Sequence, residues 1–153
     1  MAECYGRVGA EEHRLDALRL LVESDRAPDS ARVELARSLA RSDKLDQSIA
    51  MLLPIVERKP ELRLDLVRLL IQKASRQPRD QRNWQEVERA LVQAEKALPR
   101  ETEKLVLVRV DLLLAQNRLA NALSVLSSAQ AKDPRNLQYR LALARLTPIP
   151  FVK

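Results

Sequence analysis

His13 is the only histidine of the chain and Cys4 its only cysteine. A nucleophile–base dyad needs a thiol or hydroxyl held against an imidazole that a third group orients. Nothing around these two positions supplies that frame, so His13 reads as a surface histidine. Glu11-Glu12-His13 lacks the second histidine, one turn on, that a helical zinc-hydrolase motif requires. One cysteine and one histidine cannot close a metal site. Gly6 and Gly9 stand apart, and no glycine-rich phosphate loop forms around them. Glu101 and Glu103 could pair for acid–base work, but carboxylates at a helix start are more simply explained by the helix dipole. The side chains needed for catalysis are missing. The chain is expected not to be an enzyme and to need no metal or cofactor.

What remains is charge. The formal net charge is +6, which suits an acidic partner, nucleic acid or an anionic surface. The arginines are spread along nearly every segment instead of forming a run, as solvated helix faces with i,i+4 pairs would have them. Arginine outnumbers lysine, a bias associated with GC-rich bacterial genomes. Aromatics make up 3% of residues, too few to stack successive bases, so nucleic acid is a weaker expectation than protein. The single cysteine implies no internal disulfide and no oxidising compartment. Charged and glycine residues interrupt the first dozen positions, and no stretch has the roughly 18 apolar residues of a bilayer span. A cytoplasmic location is the default expectation.

Two glycines in 153 residues leave little material for the turns of a β-sandwich or barrel. Leu, Ala, Arg, Glu and Gln dominate, and all favour helix. Prolines punctuate the pattern. Pro60, Pro99 and Pro134 each close a charged segment and are 39 and 35 residues apart, while Pro28 precedes Pro60 by 32. Paired amphipathic segments lie between them. Asp29 or Ser30 caps a helix to about Arg41, and after Ser42-Asp43-Lys44 a second runs from Leu45 to Arg58 across Pro54. Further helices are predicted over Glu61–Ala74, Trp84–Ala97 behind an Asn83/Glu86 capping box, Glu101–Gln116 with Asn117 as a left-handed cap, Leu119–Ala131, and Arg135–Leu146. Leu15–Glu23 reads as the second helix of an earlier pair, with Ala2–Val8 the close of its first. Thr147-Pro148-Ile149-Pro150 cannot be helical.

A period near 34 residues with a closing proline is the tetratricopeptide length. The run Val110–Leu123, continuing through Leu126, Ala129 and Pro134, resembles that family, with Ala122, Leu126, Ala129 and Pro134 in its small–large–small–proline order. Ala36, Ser48, Leu52 and Pro60 match it with Ile55 replacing a small residue. Leu91, Ala94 and Pro99 match with Val87 replacing another. Small residues let paired helices approach closely. The resemblance implies an all-α, right-handed superhelix of about seven to eight antiparallel helices in one domain, 1–146. It would hold a partial repeat 1–28, repeats near 29–60, 61–99 and 100–134, a terminal helix 135–146 and an irregular tail 147–153.

The resemblance also implies a function: a scaffold whose first helices line a concave groove for a peptide, helix or partner protein. The alternative is a basic helical-repeat nucleic-acid module. Projected onto this chain, the groove would carry Glu34, Arg37, Arg41, Arg68, Lys104, Asp111, Gln138 and Arg145, with arginine forks suited to carboxylates of an acidic peptide. Solvated arginine is the plainer account of each. The family's asparagine-rich carboxylate clamp is not recognisable. Arg76, Arg79 and Arg82 form a basic loop that is either a contact element or a tolerated insertion. Trp84 either packs under a neighbouring pair or is an exposed binding aromatic. Leu64, Val67, Ile71, Leu107 and Val108 would form an apolar patch if exposed. Leu137, Leu141 and Leu146 are expected to face inward on a capping last helix. The front shows no cap, so self-association through the repeat ends is expected.

Overall fold

The computed structural model describes residues 13, 15–22 and 27–147. The expected helix turns Ala2–Val8, Cys4 and the proline tail beyond Thr147 lie outside them. The described residues are all helical apart from turns and contain no strand. They divide into two compact units, Met1–Leu62 and Arg63–Lys153.

In the first unit a helical segment over residues 15–22 (α1) precedes α2 (Asp29–Arg41) and α3 (Leu45–Val56). Leu15, Leu18 and Val22 recur at helical spacing, and they pack on Leu35 and Leu39 of α2 and Met51 of α3. The α2–α3 pair closes tightly because its contact residues are small. Ala36 is 1% exposed and Ser48 fully buried, and the Ser48 hydroxyl donates to the Ala36 carbonyl oxygen at 2.7 Å. The helix start differs from expectation. Asp29 is the first residue of α2, so Pro28 occupies the cap position and no side chain caps. Asp29 instead accepts a 2.8 Å bond from Arg58, joining the start of α2 to the end of α3. Helix α3 runs through Pro54, whose missing donor would have faced the carbonyl of Ala50; both residues are exposed, so water can serve that carbonyl.

The second unit holds α4 (Arg63–Arg76), α5 (Trp84–Ala97), α6 (Thr102–Ala115), α7 (Leu119–Lys132) and α8 (Leu137–Leu146). Helix α4 pairs with α5 and α6 with α7; α6 also lies against α4 and α5, and α8 packs on α7. Helix α6 is apolar almost all round, from Leu105 to Leu114, because neighbours cover it on several sides. Asn83 caps α5, its side-chain oxygen accepting from the Glu86 amide at 3.2 Å.

Two turns share one backbone geometry. Asp43 and Asn117 have φ of 65° and 59°, the left-handed conformation that Asn and Asp tolerate. Lys44 N–H bonds the Leu39 carbonyl at 2.9 Å, and Arg118 N–H bonds that of Leu113 at 2.8 Å. Both are the six-to-one closure that ends a helix and reverses the chain. Asn117 follows Asp43 by 74 residues, the separation of Pro134 from Pro60.

The last helix corrects the sequence reading of its faces. Leu137 is 64% and Leu141 52% exposed, whereas Tyr139 is 4% exposed and packs with Val110, Ala122 and Leu126. Ala142, Leu143 and Leu146 flank that cluster. The period of three to four allows either register, and Tyr139 wins because its ring fills the space beside the methyl of Ala122.

Candidate functional site

The expected groove residues fall in both units and are described within each. On α2, Glu34, Arg37 and Arg41 recur on one face. Arg41 donates to the Ser38 hydroxyl oxygen at 3.0 Å and stands 3.9 Å from the Glu34 carboxylate. Arg37 is exposed.

In the second unit, packing of α4 against α6 brings Arg68 and Asp111 into electrostatic range. Partial burial raises the Asp111 carboxyl above its ordinary pKa, and the Arg68 charge pulls it back. Arg68 Nη1 lies 3.8 Å from Asp65 of its own helix, an exposed pair that contributes little by itself. Lys104, on the same face of α6 as Asp111, bonds Glu101 at 2.8 Å. Gln138 and Arg145 share a face of α8 and are exposed. Leu64, Val67, Ile71 and Val108 are buried and Leu107 half-buried, so they are the cement between helices and the face above them is polar.

The basic loop is used largely by its own fold. Helix α4 extends through Arg76, and a short 3₁₀ turn spans Arg79–Gln81. Arg82 folds back to donate to the carbonyls of Gln77 at 3.0 Å and Ser75 at 3.2 Å, satisfying orphan acceptors at the end of α4. Arg79 is exposed. Trp84 is half-buried and shares with Arg79, Arg82, Gln116 and Asn117 a shallow hollow of about 350 Å³.

A larger cleft, about 760 Å³, opens on the opposite side of α6, bounded by the ends of α5, α7 and α8. Val106, Val125 and Ala129 form part of its apolar lining. Arg109 is bound to Glu95 on one side. On the other, Asn136 Nδ2 donates to Glu103 at 2.6 Å and lies 3.5 Å from Asp133. Asn136 also caps α8, its side-chain oxygen accepting from Gln138 and Tyr139 amides at 2.9 and 3.3 Å. Tyr139 lines the cleft, and burial, then the charges of Glu103 and Asp133, raise its hydroxyl pKa above the ordinary value. Sequence reasoning missed this cleft. The one local signal was an Asn preceding a helical run, the mark of a cap at Asn136. Glu103 lies 33 residues away and carries no such mark.

Among the described residues, no group of three His, Cys, Asp or Glu side chains is placed to hold a metal ion, and no helix is long and apolar enough to cross a membrane. No family model matches the chain, and neither the curated proteins nor the solved structures contain a match to it.

Proposed function

We propose that this chain is a non-catalytic protein-interaction scaffold of the tetratricopeptide kind, its helix pairs wound as a right-handed superhelix, and that it holds a peptide, helix or partner protein. The pairing of α4 with α5 and α6 with α7, the lie of α6 against α4, and the repeated left-handed turns at Asp43 and Asn117 support this reading. The observation that carries it is the polar face where Arg68 of α4 and Asp111 of α6 stand in range of each other above buried apolar residues. A guanidinium with only an exposed pair at 3.8 Å is available to a carboxylate of an acidic peptide. Exposed leucines at Leu20 of α1 and at Leu137 and Leu141 of α8 support self-association through the ends of the array.

The test is a panel of acidic, basic and neutral peptides titrated against the wild type and Arg68→Glu. Retention of acidic peptides by the wild type, and their loss in the variant, is the expected result. Equal binding by both proteins refutes the assignment of this face. Generic RNA and single-stranded DNA, titrated across a salt series, address the alternative. Tight binding that falls steeply with salt would transfer the function to nucleic acid.

A further inference from the structure

Helix α8 is apolar on two opposite sides. Tyr139, Ala142, Leu143 and Leu146 meet the cluster of Val110, Ala122 and Leu126. Leu137, Leu141 and Ala144 recur at spacings of four and three on the other side, and all three are exposed. A helix apolar on both sides belongs between two neighbours, and α7 supplies one of them. A single exposed leucine is ordinary. Two on adjacent turns, in line with an alanine, make the stripe that a second helix covers.

The charges beside the stripe select what covers it. Helical spacing places Arg140 along one edge and Arg145, with Gln138, along the other. Helix α8 itself contains no Asp or Glu. Arg19, Arg58 and Arg109 each bind a carboxylate of their own unit, but among the described residues none pairs with Arg140 or Arg145. The α8 of a second copy would set these arginines against their own kind, which opposes pairing. The α1 of a second copy is a weaker occupant, because its Asp16 and Arg19 already pair with each other. A helix whose leucines are flanked by carboxylates answers both the stripe and its edges, since flanking charges set partner choice between paired helices.

We infer that the outer face of α8 docks an acidic amphipathic helix of a partner protein. Leucines of that helix lie on Leu137, Leu141 and Ala144, and its carboxylates meet Arg140 and Arg145. The planar arginine fork matches a carboxylate in bidentate geometry, and the arginine stems widen the apolar contact. This inference rests on the scaffold reading but concerns residues other than those of the Arg68–Asp111 face.

The test is amide chemical-shift mapping of the full chain with a peptide of three Glu-Leu-Ala-Ala-Leu-Glu-Gln repeats. One comparison peptide carries Lys in place of Glu, and another carries Gln in place of Leu. The acidic leucine peptide should shift amides from Leu137 to Ala144 in a saturable way, and neither comparison should. Arg140→Glu combined with Arg145→Glu should weaken it by about tenfold. Leu141→Gln should weaken it by about as much. If the double variant loosens α8, Arg145→Gln alone provides the charge reading. Equal shifts with the Lys peptide, or indifference to the arginine and leucine variants, overturns the inference. In Leu20→Lys, α8 shifts that follow protein concentration alone would mean that α8 pairs with a second α8, and overturn it. Binding that appears only once residues 148–153 are removed would show that the chain covers this face itself, and also overturns it. Shifts confined to the Arg68–Asp111 face overturn it while leaving the scaffold reading standing.

Discussion

Leu126 and Leu137 are one residue type in two environments, and truncating each to Ala tests the packing of the second unit. Leu126 is fully buried on α7, within the cluster of Val110, Ala122 and Tyr139. Leu126→Ala removes three carbons from that cluster. At about 0.8 kcal/mol per buried CH₂ the transfer contribution is about 2.4 kcal/mol. A cavity that neighbours cannot fully close raises the cost to about 3–5 kcal/mol. Leu137 is 64% exposed at the start of α8, and Leu137→Ala should change stability by no more than about 0.5 kcal/mol. The assay is urea unfolding followed by fluorescence of Trp84, the only tryptophan, which sits on α5 of the same unit. With a slope of about 1.5 kcal/mol/M, Leu126→Ala should lower the midpoint by about 2 M or more at an unchanged slope. Should Leu126→Ala leave the unit unfolded, Leu126→Met keeps the measurement possible at a cost below about 1.5 kcal/mol. Comparable losses for Leu137→Ala and Leu126→Ala would show that α8 presents the other face to α7.

The remaining predictions concern neighbouring features. Ala122→Trp should destabilise the same unit by overpacking, on the order of 1–3 kcal/mol; an unchanged thermal midpoint would show that α6 and α7 are mispaired. Asn136→Ala removes the cap of α8 and should cost about 1 kcal/mol, read as lost exchange protection at Gln138 and Tyr139. For Asp111 the folded pKa is raised, so the folded state binds the proton more tightly and the ionised carboxylate costs stability once pH rises through the carboxylate range. Asp111→Asn should therefore be at least as stable as wild type near pH 7 and should lose that advantage near pH 3; lower stability at pH 7 would mean that the Arg68 attraction outweighs burial. Leu20, 71% exposed on α1, and Leu137 should support concentration-dependent self-association that Leu20→Lys weakens in light scattering; a sharp monomer at all concentrations refutes it.

The helices and many of their ends were legible in the amino-acid order because helix formation and capping are local. Apolar spacing marks α5 from Trp84 to Ala97, Asn83 announces its cap, and Asn117 takes the left-handed turn expected of it. The turns at Asp43 and Asn117 share the left-handed conformation that Asp and Asn tolerate. Tertiary structure decided which side of each helix faces inward and which charges meet. Tyr139 displaces Leu137 and Leu141 from the interior because the hollow beside Ala122 accepts a ring, and that hollow is built by residues on α6 and α7. Arg82 is drawn to the end of α4 by unsatisfied carbonyls that no composition could reveal. Glu103 and Asn136 meet, and Arg68 and Asp111 come into electrostatic range, only because α6 packs as it does. Periodicity specifies a helix and a choice of faces; the contacts of distant segments select among them.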